Sequence, residues 1–121
     1  MREPLDPTVL TNLLTMVGDD PDFVDQLVDA YLADAAQQSA AVRAALVAAD
    51  PEAIVRPAHT LKGSSLSVGA ARVAEIARAI EERGRGGSLD GVEGLVADLE
   101  RAAADAAVAL EDARARRWAA G

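Results

Sequence analysis

The chain has 121 residues, half of them apolar, with no cysteine and one histidine; that is enough for one compact core, and it excludes a disulfide framework, a thiolate metal site and an imidazole cluster. The formal net charge of −8 opposes nucleic-acid binding, which needs Lys and Arg to displace counterions from phosphates. No segment approaches the roughly 20 apolar residues of a membrane span, and "MREPLDPTVL" lacks the apolar run of a signal peptide, so a single cytoplasmic domain over residues 1–121 is expected, away from membranes.

Three Asp-Pro pairs, Asp6-Pro7, Asp20-Pro21 and Asp50-Pro51, punctuate the first half. Each reads as a helix start: Asp accepts from the unpaired first-turn amides, and Pro fits the first helical position because its missing N–H would have had no partner there. A short N-terminal helix is predicted over about 7–17, stopped by Gly18. The next covers about 21–49, with Val24, Leu27, Val28, Tyr31, Ala35, Val42, Ala45 and Leu46 on its apolar face and Asp22, Asp25 and Asp29 on an acidic one.

The third predicted helix, about 51–66, contains Pro57, which removes a hydrogen bond and crowds the preceding turn; the helix is expected either to kink near Val55 or to restart at Pro57. A break at Ser67-Val68-Gly69 precedes a helix over about 70–83 with Val73, Ile76, Ala77 and Ile80 inward. "GRGGSLDG", Gly84 to Gly91, reads as a flexible connection, and a last helix over about 89–117 carries Val92, Leu95, Val96, Leu99, Ala103, Ala106 and Leu110 at helical spacing. No stretch shows the period-two alternation of a half-buried strand. The fold class is therefore all-α: an antiparallel up-and-down four-helix bundle with an additional short N-terminal helix.

Charge is unevenly spread: residues 1–50 carry −7, residues 51–87 carry +2 and residues 88–121 carry −3. An anionic group is tolerated best in the middle third, or the unevenness is scatter on solvated faces. That third holds "AHTLKGSS", Ala58 to Ser65, with the only histidine and the only lysine of the chain.

On a helix, Ile54, Ala58, Leu61 and Ser65 share the core face, while His59, Lys62, Gly63 and Leu66 share the neighbouring one. Neutral imidazole is a nucleophile near physiological pH, its reference pKa being ~6.5. A phosphoryl group suits it, because Lys62 one turn on supplies positive charge for phosphoryl oxygens and Gly63 leaves room for a large partner. The plainer reading is a partly buried histidine, a surface lysine and a glycine for helix packing; the combined H-x-x-K-G spacing favours the chemical one. "RGRGG", Arg83 to Gly87, lacks the lysine and following helix of a phosphate-binding loop, and no second nucleophile accompanies the histidine.

"AHTLKGSSLSVGA" followed by "RVAEIARAIEERGR" resembles the histidine-containing phosphotransfer (HPt) domain family, over about residues 5–115. The resemblance implies a helical bundle that carries a phosphoryl group between aspartates of response-regulator receiver domains. By position, His59 is similar to the family's phosphoacceptor, Lys62 to its phosphoryl-stabilising lysine and Gly63 to the small residue that admits the receiver. Ser64 and Ser65 match small-residue positions, Gly69-Ala70 the turn before the next helix, and Glu81 a position that often holds Gln or Glu.

A hydrogen bond from His59 Nδ1–H to Glu81 would fix the tautomer and leave Nε2 as nucleophile; alternatively Glu81 is a solvated acid. Leu66 and Phe23 would help dock the receiver, and Arg56 and Lys62 would face its acidic pocket. No cofactor is implied on this chain, and Mg²⁺ would come with the receiver. The implied partners are receiver domains and a hybrid or sensor histidine kinase, with this chain a phosphocarrier and not an enzyme.

Two other readings stay open. One is a non-phosphorylated helical-bundle adaptor that binds a receiver or another signalling protein. The other is the dimerisation and phosphoacceptor domain of a histidine kinase, which typically follows its histidine with an acid, where this chain has Thr60.

Overall fold

The computed structural model describes Leu5, Asp6, Thr8, Val9, Asn12 and residues 21–120, with side chains in the last helix described as far as residue 115. Its four helices are α1 (Pro21–Val47), α2 (Pro51–Ser67), α3 (Ala71–Arg85) and α4 (Val92–Ala120), and no strand occurs among the described residues. Each helix packs on its neighbours in the chain, and α4 closes the bundle against α1. The helix expected over about 7–17 lies mostly outside the described residues.

The start signal at Asp50-Pro51 works as its chemistry requires. Asp50 is the N-cap of α2, its side chain accepting from Ala53 N at 3.1 Å, and Pro51 opens the helix. At the N-terminus, Asp6 Oδ1 accepts from Thr8 N at 3.0 Å and from Thr8 Oγ1 at 2.7 Å, and Asp6 N donates to Gly69 O at 2.7 Å. Asp20 lies outside the described residues.

Two helix ends share one hydrogen-bonding solution. Asp50 N donates to Ala45 O at 3.0 Å across Ala49, and Ala70 N donates to Ser65 O at 2.8 Å across Gly69. The crossed residue is left-handed, φ 54 at Ala49 and φ 78 at Gly69, a common helix stop that satisfies an orphan carbonyl. A Cβ at Gly69 would also lie 2.9 Å from Asp6 O and 3.0 Å from Val9 Cβ, so this turn needs glycine for space as well as for backbone conformation.

The apolar stripes converge as the spacing predicts. Val24, Val28, Tyr31, Ala35, Val42 and Ala45 of α1, Ile54, Ala58 and Leu61 of α2, Val73, Ala77 and Ile80 of α3, and Val92, Val96, Leu99, Ala106 and Leu110 of α4 form one buried cluster, with Leu27, Leu46, Ile76, Leu95 and Ala103 half-buried against it. Side-chain pairs fix the helix directions. Arg43 pairs with Glu100 and Arg114 with Asp29, so α1 and α4 run antiparallel. Tyr31 OH and Ser65 Oγ, 2.8 Å apart, tie α1 to α2 inside the core.

Two expectations are refined. Of the two outcomes expected at Pro57, a restart does not occur, for α2 runs through it from Pro51 to Ser67; Ala53, whose carbonyl loses its donor to the proline ring, is exposed, so water can take that place. The glycine-rich connection is also shorter than expected, since Gly84 and Arg85 belong to α3. Gly84 is buried at the α2–α3 seam, where a Cβ would lie 2.6 Å from Ile54 Cγ2, 2.8 Å from Pro51 O and 2.9 Å from Val55 Cγ2. It lets two backbones approach and is no part of the loop.

Candidate functional site

The close α2–α3 approach delivers Glu81, one turn before Gly84 on α3, to the side of α2 that bears His59 and Lys62. Glu81 Oε2 lies 2.8 Å from His59 Nδ1, and Lys62 Nζ donates to Glu81 Oε1 at 2.7 Å. Arg85, one turn further along α3, donates to Oε2 from Nε at 3.1 Å and from Nη2 at 2.8 Å. Glu81 is thus not a solvated acid: its side chain is 5 % exposed, against 59 % for His59 and 27 % for Lys62.

Burial pushes the Glu81 carboxyl upward, but hydrogen bonds from Lys62, Arg85 and His59, with the charge of Lys62, outweigh it and hold the group at about 2. An ionised carboxylate only accepts hydrogen bonds. The contact with His59 therefore requires a proton on Nδ1, which leaves Nε2 with a free lone pair in the neutral ring. Among the described residues Nε2 has no hydrogen-bond partner.

The other residues singled out in the sequence occupy two zones. Gly63 is exposed, one turn beyond His59, and a Cβ built there meets no atom within 4 Å. Leu66, 58 % exposed, lies in the last turn of α2, and Phe23, 43 % exposed, lies in the first turn of α1. Arg56 is exposed on α2 three residues before His59. Ser65 is buried on Tyr31, and Ser64 Oγ donates to Leu61 O at 3.3 Å. His59, Lys62 and Glu81 thus form one bonded cluster, with Gly63 beside it and Arg56, Leu66 and Phe23 outside its hydrogen bonds.

Sequence reasoning missed Arg85. Its signal is the Glu81-x-x-x-Arg85 spacing, the i,i+4 order in which an acid precedes a base on one helix face, but "GRGGSLDG" reads as a flexible connection and takes in Arg85.

A half-exposed histidine with one ring nitrogen anchored, a lysine beside it and open backbone next to both is the arrangement that the resemblance to the HPt family implies. The Hpt domain family model matches residues 26–117. Histidine-containing phosphotransfer protein B (HptB) from Pseudomonas aeruginosa has the same fold with a TM-score of 0.85 and 30 % sequence identity, covering 96 % of this chain and 98 % of that one. No curated protein matches. The chain belongs to the Hpt domain family. Its role is histidine phosphotransfer in a phosphorelay, as a phosphocarrier and not a kinase.

No helix among the described residues is long and apolar enough to cross a membrane.

Proposed function

We propose that His59 Nε2 is the phosphoacceptor, receiving a phosphoryl group from a receiver-domain aspartate and passing it to another. The observation that carries this reading is the buried Glu81 carboxylate on Nδ1, which holds the half-exposed ring in the tautomer with Nε2 free. In the transfer, the Nε2 lone pair forms the N–P bond in line with the breaking P–O bond, whose electron pair returns to the aspartate carboxylate. The Nδ1 proton stays in place.

Lys62 uses one ammonium hydrogen on Glu81 and keeps two for the phosphoryl oxygens. Gly63 lets the receiver reach Nε2. Leu66 and Phe23 supply apolar contact for docking, and Arg56 extends the positive charge that meets the receiver's acidic pocket. Mg²⁺ arrives on the receiver, so this chain needs no metal or cofactor of its own. The donors are receiver domains, among them that of a hybrid histidine kinase, and the reaction takes place in the cytoplasm.

The test is incubation with a phosphorylated receiver and Mg²⁺, read by intact mass. Wild type is expected to gain one phosphoryl group and His59→Gln none. Lys62→Ala is expected to remain folded and to transfer about tenfold more slowly or worse, the loss of one charge-assisted hydrogen bond to the transferring group. Undiminished labelling of His59→Gln would put the acceptor elsewhere and end this reading.

A further inference from the structure

An amide at position 81 could accept the same hydrogen bond from Nδ1–H, so tautomer control alone does not require the acid. What the acid adds is charge. Glu81 is buried, so its field is little screened by water, and Lys62 and Arg85 hold it ionised against His59. When neutral His59 attacks phosphorus through Nε2 and keeps Nδ1–H, the ring gains a positive charge. A carboxylate 2.8 Å from that proton stabilises the charged ring, as the acid of a catalytic triad stabilises an imidazolium without taking its proton.

Resting on the assignment of His59 as acceptor, we propose that Glu81 keeps the Nδ1 proton on phosphorylated His59, making the domain a carrier for rapid onward transfer and not a phosphoryl store. The balance of the leaving step gives the reason. An incoming carboxylate oxygen forms the O–P bond, the N–P bond breaks, and its electron pair returns to Nε2. With Nδ1 protonated the departing ring is neutral imidazole; without that proton it would be imidazolate, a far poorer leaving group. Water attacks by the same route, so hydrolysis of the phosphohistidine reports the same property.

The charged groups bonded in this network come from α2 and α3. Helix α2 contributes Lys62, with Arg56 exposed three residues before His59, and helix α3 contributes Glu81 and Arg85; Asp34 of α1, held against α2 by the Tyr31–Ser65 hydrogen bond, accepts from Gln38 Nε2. Among the described residues only Glu81 bonds Nδ1.

The test uses wild type and Glu81→Gln, each phosphorylated on His59 with phosphoramidate so that no receiver is needed. Loss of the phosphoryl group is followed by intact mass. In wild type the fast hydrolysis is expected to persist about one pH unit further into the alkaline range than in the Gln variant, whose phosphohistidine then outlives it about tenfold there. Superimposable pH profiles from two folded proteins, both labelled on His59, would overturn the proposal. A second readout needs no variant: ¹⁵N NMR of the phosphorylated wild-type ring at about pH 7, where an ordinary imidazole with a pKa of ~6.5 is mostly neutral, is expected to show Nδ1 mostly protonated. An unprotonated Nδ1 overturns the proposal while leaving the acceptor assignment intact, whereas absence of label on wild-type His59 overturns the acceptor assignment itself.

Discussion

Glu81 stays ionised inside the α2–α3 seam because donors from His59, Lys62 and Arg85 replace the water it has lost. Its folded value of about 2 lies below the ordinary 4.5, so the stability it contributes is fully present above about pH 4.5 and is lost as the pH falls toward 2. The displacement corresponds to about 3 kcal/mol. Urea denaturation of wild type and Glu81→Gln is expected to show wild type losing about that much more stability between pH 4.5 and pH 2; equal slopes would mean that the network does not couple to folding. How legible this site was differs by residue. His59 and Lys62 stood out because each is the only one of its kind and the two are one helical turn apart. Glu81 was placed by family resemblance, and the residues alone left it ambiguous, since "IEERGR" offers adjacent acids and only the approach of α2 buries one of them.

At the scale of the helices, two glycines do opposite work. Gly84 sits where a Cβ would meet Pro51 O at 2.8 Å and two side-chain methyls at 2.6 and 2.9 Å, whereas a Cβ at Gly63 meets nothing within 4 Å. Gly84→Ala is therefore expected to destabilise the fold by about 1–3 kcal/mol through overpacking, although alanine is the better helix former. Gly63→Ala is expected to stabilise it by roughly 0.5–1 kcal/mol through helix propensity alone. Chemical denaturation of the two variants separates these effects; a Gly84→Ala protein as stable as wild type would mean that the helices part without cost. Gly84 was misread because a Gly-Arg-Gly-Gly run looks the same in sequence whether its first glycine faces solvent or a neighbouring helix. The start of α2 at Asp50-Pro51 was legible because capping is local chemistry, contained within four residues. A restart at Pro57 does not occur, for the converse reason: the cost of proline holds for an ordinary helix interior, but the carbonyl it deprives belongs to an exposed residue.

Across the whole molecule, the site lies in the one segment of the chain with a net positive charge. The middle segment carries +2 in a chain of −8, and it contributes both helices of the His59 site. The bundle itself was legible because each helix keeps its apolar residues at 3.6-residue spacing and the Ala-rich stretches let the helices pack closely. What sequence could not supply was the approach of α2 to α3, which depends on contacts between distant residues. Gly63→Gln separates fold from access: its stability is expected to equal or exceed that of wild type, because the side chain enters open space, while receiver binding measured by titration calorimetry weakens. Unchanged affinity would remove Gly63 from the docking surface.

The most direct measurement is ³¹P and ¹⁵N NMR on the protein phosphorylated by a receiver domain with Mg²⁺, to identify the ring nitrogen bonded to phosphorus. Since Glu81 occupies the Nδ1 side, the expected result is a single phosphohistidine, on His59, with phosphorus on Nε2. Phosphorus on Nδ1, or on any other residue of a folded bundle, would contradict the account.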